Sequence, residues 1–132
     1  MTQENRELLL NVLCTMLPHG VMFDIGLNHP LQLKRILVDR LDGVLLDFYE
    51  DGNDYQVYLS EVKPYLRPMG SMISAEVLEY LSLKEDIVAD DGITYSFETY
   101  ESIDWLNAHH FDYRGLIDKN LALDCTGLHI YD

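Results

Sequence analysis

The sequence predicts an α+β fold, with an N-terminal helix packed on an antiparallel β-meander of three or four strands, then two or three helices and a short hairpin. Apolar residues recur at helical spacing near the N-terminus and again after residue 70. Between residues 20 and 68 the apolar runs are short, rich in β-branched and aromatic residues, and separated by Gly, Asp and Asn. With 132 residues, of which 48% are hydrophobic, the chain is long enough to form one domain. We expect that domain to span residues 1–132, with the first helix and the meander in 1–69 and a mainly helical part in 70–132.

The first helix is predicted from a wide apolar face behind an acidic first turn. Leucines and a methionine recur at helical spacing up to Leu17, and Pro18 and Gly20 end the run. Cys14 falls on the flank of this face, where we expect a small buried hydrophobe and not a nucleophile. The second cysteine is Cys125, and the chain has no CxxC motif. Both thiols are therefore expected to be reduced, as in a cytosolic protein.

The meander is predicted from turn signals between apolar runs. Asp42-Gly43 is a strong hairpin signal, because a type I′ turn needs positive φ at both of its central residues. The sequence EDGND at 50–54 marks the next turn. The segment 33–41 is ambiguous, since its apolar residues would also suit a helix.

Helical spacing returns after residue 70. Ser71 or Ser74 can cap a helix over residues 75–83, and a loop containing ADDG (89–92) follows. A second helix is predicted from about Ser96 to His110.

A third, short helix is predicted from Asp112, as its cap, through Lys119. Asn120 is suited to end it in the left-handed region. The sequences LALD (121–124) and LHIYD (128–132) then predict a closing hairpin.

Charge is the most extreme property of the composition. Nine basic residues against 23 acidic ones give a formal net charge of −14, and most of the excess lies after Met69. A field of this sign disfavours nucleic acid and anionic membranes as partners and favours a basic protein. The alternative is that the acidity serves only solubility.

The polar, acidic start of the chain is unlike a signal peptide, and no apolar stretch approaches the roughly 20 residues that span a bilayer, so we expect a soluble intracellular protein.

The first part of the candidate interaction surface is an acidic hairpin tip. Asp47, Glu50, Asp51 and Asp54 cluster at the second predicted turn of the meander. Carboxylates spaced on a rigid surface can imitate DNA phosphates and occupy a basic groove of another protein. Ordinary solvation of a loop is the alternative explanation.

The second part is the segment KPYLRP (63–68). Its two prolines favour an extended chain, which places Lys63, Tyr65 and Arg67 on one side and Leu66 on the other. Two cations that flank an aromatic ring can bind a phosphate or stack on a base. We favour the alternative that this is a crossing strand whose cations neutralise nearby acids.

Two adjacent histidines are the obvious candidates for a metal site. Successive helical residues point about 100° apart, so His109 and His110 face different directions, and neither belongs to an HxxxH or HExxH motif. His19 and His29 lie in predicted loops. Because motifs such as GxGxxG, GxxxxGK[ST] and GxSxG are also absent from the sequence, we expect no catalytic residues, no metal and no cofactor. A metal-dependent enzyme ranks last among the hypotheses.

Three stretches carry a resemblance to known proteins: MLPHGV (16–21), EVKPYLRPMGSM (61–72) and HHFDYRGLIDKNLALD (109–124). Their order and form resemble uncharacterised small proteins encoded by phages and prophages of gut anaerobic bacteria, whose patterns read LPYGL, KPILRPLSxL and FDxxGLIxKGLA. This chain departs from them at His19, at Met69-Gly70 and at Asn120. The resemblance implies a phage or prophage gene product in the cytoplasm of a bacterial host, and it implies no activity.

The leading hypothesis is therefore a non-enzymatic phage or prophage accessory protein that binds a basic host or phage protein, through an acidic surface that mimics nucleic acid. A regulator with a winged helix-turn-helix is the alternative, in which the helix at 113–120 would enter the major groove. That helix would offer only Arg114 and Lys119 as bases beside Asp112 and Asp118.

Overall fold

The structure, a computed structural model, describes residues 1–39 and 43–132. Within these ranges the fold is mixed α+β, as predicted, with more strands than the three or four expected. The helices are α1 (Gln3–Met16), α2 (Ser74–Leu83) and α3 (Tyr100–Ala108). The strands are β1 (Met22–Asp24), β2 (Leu31–Asp39), β3 (Gly43–Glu50), β4 (Asn53–Tyr58), β5 (Lys63–Pro68), β6 (Glu85–Val88), β7 (Thr94–Phe97), β8 (Phe111–Asp112) and β9 (Leu123–Asp124).

Seven strands form one sheet, in the order β4-β3-β2-β1-β5-β8, with β9 also paired to β5. All pairs from β4 to β5 are antiparallel, whereas β8 and β9 pair with β5 in parallel. Strands β1 to β4 pair in sequence as the predicted meander, whereas β5 pairs with β1 and gains two parallel neighbours from the C-terminal quarter of the chain. The hairpin of β6 and β7 forms a separate two-stranded sheet.

Helix α1 begins and ends close to its predicted bounds. The Thr2 hydroxyl accepts a hydrogen bond from the Asn5 amide at 3.1 Å, as an N-cap does. A 3₁₀ turn over Leu17–His19 follows, and Gly20 leaves it with a left-handed φ of 74°. The expectation that Cys14 is buried is wrong: its thiol is exposed, because position 14 lies on the opposite side of α1 from the buried face.

The main core lies between α1 and the sheet. Leu9, Leu13 and Met16 of α1 are fully buried, and they belong to one cluster with Phe23 of β1 and Phe48 of β3. The two phenylalanine rings meet edge to face with centroids 5.3 Å apart. Each of these side chains contributes on the order of 1.5–3 kcal/mol of hydrophobic free energy on burial.

The hairpins of the meander follow local turn chemistry. Asp51 and Gly52 both have positive φ, 50° and 84°, between the paired residues Glu50 and Asn53, as in a type I′ turn. The predicted Asp42-Gly43 turn lies outside the described residues except for Gly43, whose φ is 94°. The ambiguous segment is a strand as far as the structure describes it, up to residue 39.

Several predictions for the C-terminal part are wrong. Ile73, and not Ser71 or Ser74, occupies the N-cap of α2, where the Glu76 carboxylate accepts its amide at 3.1 Å. Ser96 belongs to β7, so α3 begins only at Tyr100, behind an N-cap formed by Thr99. The β-branched and aromatic residues at 94–97 favour a strand over a first helical turn.

Residues 113–120 form turns and not the predicted third helix. The Asp112 carboxylate accepts the amides of Leu116 and Ile117 at 2.8 and 2.9 Å, so it caps a single turn, and Asn120 is left-handed as predicted, with φ of 59°. The prediction of a closing hairpin is also wrong, because residues 123–124 pair with β5. The winged-helix alternative therefore lacks its recognition helix.

A smaller core lies under α2 and α3. Trp105 of α3 stacks between Tyr80 of α2 and Phe111 of β8, with ring centroids 5.7 and 5.6 Å away. The Arg67 guanidinium lies over the Phe111 ring, 4.1 Å from its centroid. In the part of the chain that the structure describes, no helix is long and apolar enough to cross a membrane.

Candidate interaction surface

Asp47 does not belong to the predicted acidic surface. Its side chain lies in the middle of β3 and is only 3% exposed. A β-bulge in β2 between Leu33 and Arg35 brings Arg35 opposite Asp47, and the guanidinium binds Oδ2 at 2.7 and 2.8 Å. Asp47 Oδ1 is buried and has no hydrogen-bond partner among the residues that the structure describes. The carboxylate is therefore the buried partner of an ion pair within the sheet, and the prediction that it is a surface group is wrong.

The other three acids lie where the sequence places them, around the β3–β4 turn. Glu50 binds the imidazole of His29 at 2.7 Å, which ties the turn to the loop before β2. Asp51 and Asp54 are exposed. The tip thus carries a smaller acidic group than predicted, and one of its carboxylates already has a partner.

The KPYLRP segment forms β5, with the predicted alternation: Pro64 and Leu66 are buried, and the residues between them are half-buried. Its cations bind neighbouring side chains. Lys63 Nζ donates to the Asn120 side-chain oxygen at 2.7 Å. Arg67 makes a two-pronged ion pair with Glu76 of α2 at 2.7 and 2.8 Å, and this hydrogen bonding lowers the pKa of the Glu76 carboxyl.

Tyr65, the aromatic residue between these two cations, takes part in a contact that the sequence does not reveal. The Tyr131 hydroxyl donates to the Tyr65 carbonyl at 2.6 Å and accepts from the Met22 amide at 2.8 Å. It thereby links β5 to β1. Burial raises the pKa of both tyrosines. Arg67 pairs with an acid, Glu76, as the crossing-strand interpretation expects, whereas Lys63 binds an amide oxygen and not a carboxylate.

Both histidines of the HH pair have structural partners. His109 stacks on Trp105 with centroids 4.1 Å apart, and its Nδ1 donates to the Trp105 carbonyl at 2.9 Å. His110 follows the end of α3 with a left-handed φ of 62°, donates from Nε2 to the His19 carbonyl at 2.7 Å, and stacks on Tyr131 at 3.7 Å. Burial lowers the pKa of His110, so the neutral ring is favoured. Among the described residues no group of three or more potential ligands could hold a metal ion.

The most unusual surface of the molecule lies in a region that the sequence interpretation treats as a loop and a helix start. Of sixteen exposed large hydrophobic side chains within residues 1–39 and 43–132, ten fall between positions 73 and 100. Three of them are on α2 and one is its N-cap, all at helical spacing on the flank beside the buried Tyr80, and most of the others are on the β6–β7 hairpin. The ten are Ile73, Val77, Leu78, Leu81, Ile87, Val88, Ile93, Tyr95, Phe97 and Tyr100.

The β6–β7 hairpin closes through a three-residue loop. The Ala89 amide donates to the Ile93 carbonyl, and the Gly92 amide donates to the Ala89 carbonyl, both at 2.9 Å. Gly92 has a φ of 82°, the left-handed conformation that such a loop needs at its last position. Asp91 accepts the Ile93 amide at 2.9 Å and completes the turn.

One face of this hairpin is apolar and uncovered. The pairs Glu85–Phe97 and Ile87–Tyr95 place Phe97, Tyr95 and Ile87 on the same face, with Glu85 at its end, and Ile93 continues the row at the turn. These four side chains, called the apolar hairpin face below, are each between 47% and 51% exposed. All eight residues of the two strands are exposed.

Acidic residues surround the hairpin. Residues 73–101 contain eight Asp and Glu and one basic residue, Lys84. The Lys84 ammonium lies near Glu98, at 3.8 Å, and over the Tyr80 ring, at 5.5 Å from its centroid. Glu98 also accepts hydrogen bonds from Tyr80 and Ser102, so it holds the hairpin's end to α2 and α3. The exposed carboxylates in the hairpin itself are Glu85, Asp86, Asp90 and Asp91.

A signal for this hairpin is present in the sequence. Asp91-Gly92 stands between Ile87-Val88 and the run Thr94–Phe97, and this is the same pattern that marks the hairpins of the meander.

No protein-family model, no curated protein and no solved structure matches the chain.

Proposed function

We propose that this chain acts by binding another protein, as a non-enzymatic accessory protein of a phage or prophage. The observation that carries the proposal is the apolar hairpin face, with Ile87, Ile93, Tyr95 and Phe97 each about half exposed on one side of a two-stranded sheet. Contiguous exposed apolar groups with a polar rim are typical of interaction sites. An isolated hairpin is also only marginally stable in water, so a cover over this face would stabilise it.

The charges around the hairpin support a basic partner. Eight acids and one base in residues 73–101 create a negative field that attracts Lys and Arg, speeds their encounter and repels phosphates. A complementary partner surface is apolar at its centre and basic at its rim. In a more specific form of the proposal, the carboxylates take the place of phosphates in the groove of a nucleic-acid-binding host protein.

The phage or prophage origin rests on the LPHGV, KPYLRP and FDYRGLIDKN stretches and their resemblance to proteins of that group. Two of these stretches have structural roles: Arg67 and Asp112 order the chain around β5 and β8. Their resemblance supports a common fold and provenance and carries no information about the partner.

The test is affinity capture of the full chain in a nuclease-treated bacterial lysate, with a matched pair of double variants. Tyr95→Ser with Phe97→Ser removes the centre of the apolar hairpin face, and Tyr49→Ser with Tyr58→Ser removes two exposed aromatics of the main sheet. We expect the wild type and the Tyr49→Ser, Tyr58→Ser variant to retain a basic protein and to release it near 0.5 M salt, where charge interactions are screened. The Tyr95→Ser, Phe97→Ser variant should not retain it. Equal capture by all three chains would refute the proposal.

A further inference from the structure

The free edge of the hairpin defines how a partner can bind, if the proposed function holds. We infer that β7 accepts an extended segment of the partner as a third strand, and that this segment alternates apolar residues with Lys or Arg. The inference rests on three features of the hairpin: a backbone edge that no strand pairs within residues 1–39 and 43–132, the distribution of charge between its two strands, and the chemistry of its two faces.

The ladder fixes which backbone groups point outward. The Ala89 amide donates to the Ile93 carbonyl, so Ala89 and Ile93 form a hydrogen-bonded pair. Because such pairs alternate along an antiparallel ladder, Ile87–Tyr95 is also hydrogen-bonded and Val88–Thr94 and Asp86–Ser96 are not. The amides and carbonyls of Thr94 and Ser96 therefore point away from β6, along the free edge of β7.

Charge distinguishes β7 from β6. Strand β6 carries Glu85 and Asp86, and charged residues on an edge strand discourage pairing with another chain. Strand β7 reads Thr-Tyr-Ser-Phe, which combines high β-propensity with no charge and no proline. It has neither the charges nor the proline that protect many edges, so of the two strands β7 is the one better suited to strand addition.

The two faces of the hairpin determine the side chains of the added strand. Residues that continue the apolar hairpin face lie beside Tyr95 and Phe97 and are expected to be apolar. Residues that alternate with them lie on the face of Thr94, Ser96 and Asp86, where the Ser96 hydroxyl donates to the Asp86 carboxylate. Val88 also lies on that face, where Asp86, together with Asp90 and Asp91 of the adjoining turn, favours Lys or Arg.

A second copy of this chain is a poor occupant of the same edge. Joining two copies through β7 would leave both apolar hairpin faces uncovered and would bring together two chains of charge −14. A basic partner that contributes one strand and packs its own apolar residues over the face avoids both costs.

The experiment measures binding of a fluorescein-labelled eight-residue peptide of alternating valine and lysine to the full chain, by fluorescence anisotropy at constant salt. A peptide of alternating serine and lysine controls for charge alone. Ser96→Pro removes an outward amide from β7, and Val88→Pro removes the equivalent amide from β6. We expect Ser96→Pro to weaken binding about ten-fold, because it removes one hydrogen bond whose contribution lies near the upper end of the usual range. Val88→Pro should change the affinity less than two-fold.

A second measurement does not depend on how the proline variants fold. Two versions of the valine–lysine peptide carry N-methyl groups on alternate amides, either the odd or the even ones. A strand added to β7 uses only one of these sets, so one methylated peptide keeps its affinity for the wild-type chain and the other loses it. Equal affinities of the two methylated peptides would overturn the inference.

The outcomes separate this inference from the proposed function. If Tyr95→Ser with Phe97→Ser abolishes binding while Ser96→Pro leaves it unchanged, the apolar face binds the partner and strand addition is wrong. If the valine–lysine peptide binds no tighter than the serine–lysine peptide, both ideas fail. Self-association of the wild-type chain that Ser96→Pro abolishes would assign the edge to a second copy and would also overturn the inference.

Discussion

The hydroxyl of Tyr131 is expected to contribute strongly to stability, and Tyr131→Phe tests this. The register of β1 and β5 pairs Phe23 with Pro64, which has no amide to donate. One position further, the Tyr131 hydroxyl stands between the Met22 amide and the Tyr65 carbonyl and bonds to both, at 2.8 and 2.6 Å. A side-chain oxygen thus connects the two strands where the backbone ladder does not.

The magnitude follows from those two hydrogen bonds. Each contributes about 1 kcal/mol net, and removing the oxygen also leaves a donor and an acceptor between the strands without a partner. The phenylalanine ring keeps the stacking on His110, at 3.7 Å in the native chain, so the packing loss is small. We expect the free energy of unfolding to fall by about 2 to 3 kcal/mol, which for a chain of this size lowers Tm by about 8 to 12 °C.

Urea unfolding followed by the fluorescence of Trp105, the single tryptophan, measures this change. Tyr100→Phe is the matched control, because Tyr100 is 91% exposed and its loss should cost about 0.5 kcal/mol or less. A Tyr131→Phe variant within about 0.5 kcal/mol of that control would refute the reasoning.

Three further predictions concern buried or exposed groups elsewhere in the chain. Arg35→Ala should lower the free energy of unfolding by about 2 kcal/mol in urea titrations, because it leaves the buried Asp47 carboxylate without its ion-pair partner; an unchanged midpoint would contradict the assigned role of the pair. Burial lowers the pKa of His110. Below a pH of about 6.5 the unfolded chain therefore binds a proton that the folded chain binds less readily, so the free energy of unfolding should fall as the pH drops from about 7 to 5. Thermal melts across this range should show a smaller fall for His110→Asn, whose side chain tolerates the left-handed backbone. A thiol reagent should modify the exposed Cys14 in the native chain and Cys125 only after unfolding, since burial also raises the pKa of that thiol, and rapid labelling of both would contradict the burial of Cys125.

Local patterns in the sequence predict much of the first half of the fold. The run from Leu8 to Leu17 has a helical period, and Pro18 and Gly20 end it for reasons that need no tertiary contact. The alternation in KPYLRP likewise predicts which side of β5 is buried, because prolines hold the chain extended.

The errors arise where a distant contact or a single backbone irregularity decides the structure. Asp47 looks like a surface carboxylate in the sequence, and only the bulge before Arg35 brings a guanidinium opposite it. His110 leaves the helical pattern because its backbone turns left-handed, and its ring then meets Tyr131 and the His19 carbonyl, which lie far away along the chain.

The reason that sequence patterns miss the candidate site is different. The helix predicted from Ser96 begins inside a strand, and the Asp91-Gly92 turn falls in a segment that the sequence predicts as a loop. Propensity at 94–97 favours the strand, whereas the exposure of its apolar side chains depends on what packs around the hairpin. A single sequence contains the strand propensity of these residues, but it does not contain the tertiary packing that decides how exposed their side chains are.

The parallel pairing of β5 has a consequence for the order of events during synthesis. Strand β5 ends at Pro68, yet its partners β8 and β9 occupy residues 111–124 and the Tyr131 link comes later still. On a translating ribosome, helix α1 and strands β1 to β5 emerge well before these partners, so the nascent chain holds an incomplete sheet for more than forty residues of elongation. Closure of the sheet is therefore expected as a late step, limited by arrival of the C-terminal quarter and not by local helix or hairpin formation.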